Sequence, residues 1–420
     1  MITEVLAAAL ADALSELGID VAPSEIHMER PAQREHGDWS SNVALVMSKQ
    51  AGRNPRELAA ELLTVLESTS VDQIQRAEVA GPGFVNFHLS PQWLHDVLME
   101  VISQGEDGYA RSTIGDGQSI NLEFVSANPT GPLHAGGGRW GAYGDSLARI
   151  FRRCGYQTFT EYYVNDRGLQ TELFGDSLLA HRDGTDLPED GYAGEYVAEW
   201  ASEMPDDANP VAWGCERALA EVQQSLASMN VTFDHWASEK ALVDSGAMES
   251  TIDALRAGGW VDEHEGATWL RTSDFGDEKD RVLLKSDGEP TYFVPDIAYH
   301  NQKFERGNLV IDVLGADHHG YVPRMSAALQ MLGHQASSYE AIIGQNVTLV
   351  QSGKEIKLSK RTGTMVEVRD LIEAVGPDVA RFAYLLQSID TRQTIDLDMF
   401  SSQANENPVY YVQYAFARIA

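Results

Sequence analysis

Length, composition and charge exclude several classes of protein before any motif is considered. The chain has 420 residues, of which 43% are hydrophobic, enough for two or three domains with apolar cores. It has only two cysteines, Cys154 and Cys215, which excludes a disulfide framework or a CxxC zinc site and indicates a reducing cytoplasm. No apolar run approaches the roughly 18 residues that span a bilayer, and the N-terminus lacks the basic leader of a signal peptide, so we expect no membrane partner.

Acidic residues outnumber basic residues by 63 to 31, which gives a formal net charge of −32. Such a surface keeps a protein soluble and repels polyanions at long range. If the chain binds RNA, we therefore expect the contacts to lie at a locally basic site. The candidates for phosphate contacts in the N-terminal region are Arg30, Arg34, Arg53 and Arg56.

The first hundred residues have the pattern of a small α+β domain that ends near residue 108. Apolar residues recur at helical spacing from Ile2 to Leu17, and Gly18 follows as a stop signal. Gly81-Pro82-Gly83 interrupts a later run of strand-like residues. The predicted elements of residues 1–108 are helices over 2–17, 42–49 and 55–66, and two strand pieces over 79–89.

A pattern of strand, helix and strand begins at Ile120. Residues 120–124 alternate between apolar and polar, residues 139–153 have the pattern of a helix, and residues 156–164 predict a second strand. This order implies a right-handed crossover and a parallel sheet. Further strands are predicted over 292–294, 309–314 and 341–350, with a helix over 322–332. We predict an α/β fold, a Rossmann-like parallel sheet domain over 115–385 that contains a more polar, helix-rich insertion at about 165–285.

Two short motifs, far apart in the sequence, indicate nucleotide chemistry. The first, Pro132-Leu133-His134-Ala135-Gly136-Gly137, lies where a strand turns into a helix, and the second is Lys357-Leu358-Ser359-Lys360-Arg361. Pro132, Gly136 and Gly137 would let phosphates approach the backbone N–H groups at the helix N-terminus, where the His134 imidazole can donate to them. Three residues of the second motif are expected to close over the same phosphates and to neutralise a leaving pyrophosphate: Lys357, Ser359 and Lys360.

A dinucleotide-binding fold is a rival interpretation of the first motif. Gly136 to Gly141 match G-x-G-x-x-G at a helix start, and Glu161 follows Gly141 by 161 − 141 = 20 residues, the place of a ribose-binding acid. In that fingerprint the first glycine follows the strand almost at once, whereas here about ten residues intervene. The dehydrogenase interpretation also leaves His134 and the lysine motif without a role, so we disfavour it.

The two motifs resemble the HIGH and KMSKS signatures of class I aminoacyl-tRNA synthetases. More narrowly, the chain is similar to arginyl-tRNA synthetases of the bacterial type, and the similarity covers essentially the whole sequence. Residues 36–44 and 81–87 resemble the additional N-terminal domain of that family. The other stretches that carry the similarity are Asn165-Asp166-Arg167-Gly168, residues 315–321 and Asn407-Pro408-Val409-Tyr410-Tyr411.

The resemblance implies a ligase that uses ATP and Mg²⁺ to activate L-arginine as arginyl-adenylate and then transfers the arginyl group to tRNA(Arg). It implies a cytoplasmic monomer whose N-terminal domain contacts the tRNA elbow. Residues 386–420 resemble the start of a C-terminal helical anticodon-binding domain that is cut short. We predict no metal site, because His318-His319 has no cysteine partner and poor ligand spacing for zinc.

The substrate gives an independent argument about the amino-acid pocket. Arginine presents a planar cation with five donors, which carboxylates accept as paired hydrogen bonds. Glu123 stands at a strand end, and Asp296 follows Tyr292 by four residues. The resemblance supports four arginine ligands, Glu123, Asn128, Tyr292 and Asp296, and implies that Asp317 and His318 meet the adenosine part of ATP.

The sequence departs from the family pattern at Gly137, where the second histidine of HIGH is expected. We expect backbone N–H groups or Arg139 to take its place. Two other functions stay open from the sequence alone, an RNA-binding relative that has lost catalysis and a nucleotidylyltransferase of the same superfamily. A cysteine-specific synthetase is disfavoured, because two cysteines cannot supply its zinc site.

Overall fold

A computed structural model describes residues 2–356, 366–404 and 406–419. The predicted catalytic residues Lys357, Ser359 and Lys360 therefore lie outside the described residues. Contacts divide the chain into two compact units, Met1–Ala110 and Arg111–Ala420. None of the helices in the described ranges is long and apolar enough to cross a membrane.

The first unit is an antiparallel sheet with helices packed on it. Its strands are β1 (Met28–Glu29), β2 (Trp39–Ser41), β3 (Ile74–Ala80) and β4 (Phe84–Leu89), and its helices are α1 (Ile2–Glu16), α2 (Val43–Ala51), α3 (Pro55–Thr69) and α4 (Gln92–Gly108). The strands lie in the order β1-β2-β4-β3, with antiparallel neighbours throughout. Leu6, Leu10 and Leu14, on one face of α1, are buried in one cluster with Leu58 and Phe87. The predicted α+β N-terminal domain is confirmed.

The second unit contains the remaining elements. Its strands are β5 (Ser119–Glu123), β6 (Gln157–Val164), β7 (His235–Ser238), β8 (Val261–His264), β9 (Ala267–Leu270), β10 (Arg281–Leu284), β11 (Leu309–Gly315), β12 (Tyr339–Gly344), β13 (Val347–Gln351), β14 (Lys354–Ile356) and β15 (Gln393–Asp396). Its helices are α5 (Ala135–Arg153), α6 (Leu169–Asp183), α7 (Glu195–Glu203), α8 (Pro210–Ser228), α9 (Glu239–Asp244), α10 (Ala247–Ala257), α11 (Phe293–Lys303), α12 (Val322–Met331), α13 (Val368–Val375), α14 (Pro377–Leu385), α15 (Leu397–Ser401) and α16 (Pro408–Ile419).

The centre of the second unit is a five-stranded parallel sheet in the order β12-β11-β5-β6-β7. Ile120, Asn121 and Leu122 of β5 are all buried, as expected for a central strand covered on both faces. The chain runs outward from β5 to β6 and β7, and later returns to place β11 and β12 on the other side. The strand order therefore reverses between β5 and β11, and a crevice opens there at the carboxyl ends. The α/β prediction is confirmed.

Two predicted strands are wrong in detail. Residues 292–294 are not a strand: Tyr292 precedes α11, whose buried residues Phe293, Val294 and Ile297 follow helical spacing. Pro295 suits the first turn of a helix, where its missing N–H breaks no hydrogen bond. Residues 341–350 form two strands, β12 and β13, which belong to different sheets.

The predicted insertion at about 165–285 is not one block. Helices α6, α7 and α8 do follow β6, but β7 then returns to the edge of the parallel sheet before the separate antiparallel sheet of β8, β9 and β10. Residues 386–420 likewise begin with a strand, because β15 pairs in parallel with β13 before α15 and α16 follow. Short strands such as β7 carry too few residues for a period of two to be recognised.

Candidate active site

A cavity of about 940 Å³ opens at the carboxyl ends of β5 and β11, where the strand order reverses. The four predicted arginine ligands, Glu123, Asn128, Tyr292 and Asp296, all belong to its lining, as does His318. Asp317 is not part of the lining; its side chain is 84% exposed and lies 3.6 Å from the His318 ring. The switch point therefore brings together residues from β5, α11 and the end of β11.

His134 is the N-cap residue of α5. Its Nδ1 accepts a hydrogen bond of 3.0 Å from the Gly137 backbone N–H, which satisfies one of the donors that a helix start leaves without a partner. Because Nδ1 is an acceptor, the neutral imidazole carries its proton on Nε2 and can act as a donor there. The cap of α5 thus favours the neutral tautomer with its proton on Nε2.

The chain that follows the lysine motif is hydrogen-bonded to the histidine motif. Ala135 N–H donates to the Val366 carbonyl at 2.8 Å, Val368 N–H donates to the Leu133 carbonyl at 2.9 Å, and His134 forms an antiparallel bridge with Glu367. We call this contact the 134–367 bridge. Val366, the first described residue after the lysine motif, follows Lys360 by six positions in the sequence.

Close packing around α5 explains the glycine that replaces the second histidine of HIGH. A Cβ atom at Gly137 would lie 2.7 Å from Leu133 Cδ1, and one at Gly138 would lie 2.8 Å from the Tyr384 hydroxyl oxygen. That hydroxyl donates to the Ala135 carbonyl, which ties α14 to the first turn of α5. A histidine at position 137 would therefore require Leu133 to move.

Arg139 does not take the place of the missing histidine. Its side chain is fully buried and donates to the carbonyl oxygens of Gln345 at 2.6 Å, Thr391 at 3.0 Å and Ser388 at 2.8 Å. These contacts hold α5 against the segments that flank β13 and β15. The expectation that Arg139 faces the nucleotide is wrong, and the reason is that its guanidinium satisfies buried carbonyls.

The dinucleotide-binding interpretation fails on Glu161. This residue lies inside β6, is fully buried, and accepts two hydrogen bonds from Arg306, at 2.7 and 2.8 Å, and one from Asn121. A carboxylate that is paired inside the sheet has no access to a ribose. Its spacing from Gly141 is a coincidence of strand length.

A group of buried charges lies at the base of the cavity, and we call it the floor: Glu123, His300, Lys303 and Asp312. The Lys303 ammonium bonds to both Glu123 and Asp312, at 2.5 Å from Asp312 Oδ1. Glu123 also accepts from the Ser126 hydroxyl at 2.7 Å and from the Tyr299 hydroxyl at 2.9 Å. Three of the roughly four lone-pair positions of Glu123 are therefore used within the protein.

The floor is not a metal site. Potential ligand atoms of Glu123, His300 and Asp312 lie within 4.8 Å of one another, close enough for an ion. The Lys303 ammonium lies between the two carboxylates and supplies the positive charge that an ion would bring. A resident metal does not fit these residues unless Lys303 leaves.

Asp296 and Glu239 are a second pair of carboxylates in the cavity lining, and we call this pair the wall. Burial, together with the nearby Glu239, raises the pKa of Asp296 to about 6, although His300 opposes the shift. Burial also raises the pKa of Glu239, although the Arg167 guanidinium, 3.8 Å away, opposes this. Such desolvated carboxylates are a favourable site for a cation.

Sequence reasoning missed Glu239 and Lys303. Glu239 is the first residue of α9, directly after β7, so it stands at a strand end like Glu123. The short strand β7 hid this position, and only its serine N-cap, Ser238, marks it in the sequence. Lys303 is the last residue of α11, and nothing in its surroundings in the sequence indicates that it is buried.

Asn128 is held by two neighbouring amides. Its Nδ2 donates to Gln170 Oε1 at 2.6 Å, and its Oδ1 accepts from Asn165 Nδ2 at 2.9 Å. Tyr292 lies at the rim of the cavity, 85% exposed, immediately before α11. Asn128 is therefore held in place in the lining, whereas the Tyr292 side chain is exposed at the rim.

The four candidate RNA-binding arginines of the first unit are all exposed. Arg30 lies over the Trp39 ring, 5.1 Å from its centre, and Arg53 pairs with Glu61 at 2.5 Å. Arg34 belongs to a short helical turn, and Arg56 lies in the first turn of α3. Exposure is compatible with phosphate contacts at each position.

Comparison with known protein families places the chain in a class. Residues 193–396 match the model described as "tRNA synthetases class I (R), catalytic domain", and residues 4–89 match the "Arginyl tRNA synthetase N terminal domain". The fold, with its switch-point cavity and the capped His134, therefore defines a class I aminoacyl-tRNA synthetase.

Individual relatives identify the family. A curated arginine–tRNA ligase of Kineococcus radiotolerans is 45% identical, over 99% of this chain and 78% of that protein. A crystal structure from Campylobacter jejuni, described as a putative arginyl-tRNA synthetase, is 35% identical with a TM-score of 0.72, over 79% of this chain and 76% of that one. The Thermus thermophilus arginyl-tRNA synthetase shares the fold at 20% identity, with a TM-score of 0.71, over 100% and 81% of the two chains. The chain belongs to the arginyl-tRNA synthetase family, and the predicted family and enzyme class are confirmed.

Proposed function

We propose that this aminoacyl-tRNA ligase activates L-arginine with ATP in the cavity between β5 and β11 and transfers it to tRNA(Arg). The observation that carries the proposal is the wall: two desolvated carboxylates, Glu239 buried and Asp296 half-buried, line a cavity at the switch point of the parallel sheet. Their charge matches a guanidinium, and the position matches a site where ATP can react with a neighbouring carboxylate.

The arginine side chain is the cation that the wall would receive. Asp296 and Glu239 would accept paired N–H bonds from the planar guanidinium, and Tyr292 would cover it from the rim. Glu123 contributes at most one remaining lone pair, because its other positions bind Ser126, Tyr299 and Lys303. Asn128, with its amide already oriented, would hold the α-amino or carboxylate group.

The chemistry of activation needs no nucleophilic side chain. A carboxylate oxygen of arginine attacks the α-phosphorus of ATP, the bond between the α-phosphorus and the α,β-bridging oxygen breaks, and pyrophosphate leaves with the bonding electrons. The His134 Nε2 proton would bond to phosphate oxygens as charge develops, and Lys357, Ser359 and Lys360 would neutralise the leaving group. The 134–367 bridge supports this pairing, because it holds the chain that follows the lysine motif against the histidine motif.

The second step transfers the arginyl group. A terminal ribose hydroxyl of the tRNA attacks the carbonyl carbon of arginyl-adenylate, and AMP leaves with the bonding electrons. Pro132, Gly136 and Gly137 would line the phosphate side, and Asp317 and His318 would meet the adenosine. We take Mg²⁺ to enter as the ATP complex, since the floor already contains an ammonium ion.

The partners and the setting follow the same proposal. The exposed arginines Arg30, Arg34, Arg53 and Arg56 would contact tRNA phosphates. We propose that the protein acts as a monomer in the cytoplasm, where both cysteines stay reduced. Light scattering on the purified protein, with and without tRNA(Arg), tests the monomer directly.

The test is ATP–pyrophosphate exchange with each of the twenty amino acids, in the presence and absence of tRNA(Arg). We expect exchange with arginine alone, and a loss of about 10² to 10³ in rate for Lys360→Ala. Lys354→Ala is the matched control, because Lys354 is an exposed lysine of β14 just before the motif. Exchange without any amino acid would indicate a nucleotidylyltransferase instead, and tRNA binding without any exchange would indicate a catalytically inactive RNA-binding protein.

A further inference from the structure

Lys303 is the most deeply buried cation near the cavity, yet it does not line the cavity. Its side chain is completely inaccessible, at the end of α11, and its ammonium lies between Glu123 of β5 and Asp312 of β11. Glu123 does line the cavity. Lys303 can therefore influence a ligand only through Glu123 and through the charge of the floor.

The floor contains two basic and two acidic side chains. His300 Nδ1 lies 2.7 Å from the Asp296 carbonyl oxygen, and His300 Nε2 lies 2.8 Å from Asp312 Oδ2. Both neighbours are acceptors, so both ring nitrogens bond only when the imidazole carries two protons. Burial alone would raise the pKa of Asp312, but Lys303 and His300 outweigh burial and hold it well below its usual range. The Lys303 ammonium thus lies between two carboxylates, one of which also bonds to the His300 ring.

We propose that Lys303 is a positioning residue for amino-acid specificity: it neutralises charge in the floor, so that the wall supplies most of the negative charge that binds the substrate guanidinium. Without the ammonium, the floor would hold an uncompensated negative charge directly beneath the wall. A second cation or a proton would then compete for the same carboxylates. This inference rests on the proposed function, because it takes arginine as the ligand of the cavity.

Among the described residues around the floor, Asp296 has a pKa close to neutral, at about 6. The phenols that face the floor from α11, β12 and the start of α12 are Tyr299, Tyr339 and Tyr321, and burial raises the pKa of each well above its ordinary value. The charges beyond them are the wall residues Asp296 and Glu239, together with the Glu161–Arg306 pair, which is internally balanced. Loss of the Lys303 charge must therefore be met by a proton on Glu123, Asp312 or Asp296.

Calorimetric titration of arginine into the full chain, in buffers of different ionisation enthalpy, counts the protons that binding releases. At pH 7.5 we expect almost none for the wild type and close to one per arginine for Lys303→Met, because the bound guanidinium expels the proton that the floor has taken up. The double variant Lys303→Met/Asp312→Asn removes one cation and one carboxylate, so its proton count should return towards zero. Lys240→Met, which removes an ammonium from an exposed pair with Asp244, is the control.

A structural role alone would lower the melting temperature of Lys303→Met and leave the proton count unchanged, which would overturn the inference. If Lys303→Met does not fold, the arginine affinity of the double variant Lys303→Met/Asp312→Asn tests the inference instead. Arginine affinity within about fivefold of the wild type then supports charge balance, and a loss of more than about tenfold in the folded protein contradicts it. If the wild type itself binds no arginine, the proposed function fails first, and that result is distinct from either outcome for Lys303.

Discussion

His134 has two tasks at once, and each uses a different ring nitrogen. Nδ1 caps α5 through the Gly137 N–H, and Nε2 is the nitrogen that we propose donates to ATP. Asparagine is a good N-cap residue whose side-chain oxygen can accept the same bond, but it has no group in the place of Nε2. A pair of substitutions at this residue therefore separates structure from catalysis.

We expect His134→Asn and His134→Ala to lower the exchange rate equally, by about 10² to 10³, because both lose the phosphate donor. Only His134→Ala should lose about 1 kcal/mol of unfolding free energy, since it also loses the cap. Urea denaturation and ATP–pyrophosphate exchange on the same preparations measure the two effects. An asparagine variant with wild-type exchange would remove His134 from the chemistry.

The raised pKa of Asp296 determines how folding stability and arginine affinity should change with pH. The pKa of Asp296 is about 6 in the folded protein, above the ordinary value of 3.8. Between pH 3.8 and about 6, the folded protein therefore keeps a proton on this carboxyl that the unfolded chain has lost. Stability should fall as the pH rises through this window and level off above about 6. Arginine binding needs the carboxylate, so affinity should be full above about pH 7 and fall by up to tenfold per unit below about 6.

Asp296→Asn tests both halves of this argument. Removing a desolvated carboxylate should stabilise the ligand-free protein at pH 7.5 by up to about 3 kcal/mol, and the gain should vanish below about pH 4. The same variant should lose arginine binding. Denaturation curves at three pH values, with arginine titrations at pH 7.5, are the measurement. Equal stability of variant and wild type at pH 7.5 would mean that burial does not penalise this charge.

At the scale of elements, the 134–367 bridge joins the histidine motif, through backbone hydrogen bonds, to the chain that follows the lysine motif. Val368 is the first residue of α13, a position where proline fits because the helix does not use that N–H. In this protein the N–H donates instead to the Leu133 carbonyl. Val368→Pro therefore removes one bond of the bridge and leaves α13 intact.

We expect Val368→Pro to lower kcat/KM for ATP by about tenfold, because the lysine motif is then less well placed over the phosphates. Arginine affinity should not change, since the wall belongs to other elements. Val368→Ala is the control, because it loses the buried side chain and keeps the N–H. If the alanine variant loses as much kcat/KM as the proline variant, packing rather than the hydrogen bond is responsible.

The sequence predicted the elements whose patterns are long and local. Residues 120–124 alternate over enough positions to identify β5, and the helix after His134 is marked by its glycines and its capping residue. Tyr292 to Val294 were assigned to a strand because three apolar residues fit either period. The break inside 341–350 depends on contacts of Gln345 with residue 389, which no local pattern encodes.

The site residues that lie beside recognisable motifs were predicted, and those whose position depends on distant strands were not. Glu123, Asn128 and Asp296 were found because they lie beside recognisable motifs, and all three line the cavity. In the sequence, Lys303 has the position of an ordinary basic residue at a helix end. It is buried because it pairs with Glu123 of β5 and Asp312 of β11. Glu239 required knowledge that β7 belongs to the parallel sheet. The surroundings of Lys303 and Glu239 depend on which strands pair in the sheet, and local sequence patterns do not reveal that pairing.

At the scale of the whole molecule, the net charge of −32 must oppose the approach of an RNA polyanion. The opposition is long-ranged at low salt, where the Debye length exceeds about 20 Å, and shrinks to about 8 Å at 0.15 M. Contacts between exposed arginines and phosphates act at short range and release counterions. The two effects have opposite salt dependences, so rate and equilibrium measurements separate them.

We expect the association rate constant for tRNA(Arg) to rise with salt between about 0.02 and 0.15 M, because screening weakens the repulsion. The equilibrium affinity should fall over the same range, and Arg56→Gln should flatten its logarithmic salt slope by about 0.9. Arg76→Gln, another exposed arginine of the first unit, pairs with Glu78 and serves as the control. Stopped-flow mixing and equilibrium titration give both quantities. An association rate that falls with salt would show that the tRNA meets a local positive field before it meets the acidic surface, and an unchanged slope for Arg56→Gln would remove that residue from the interface.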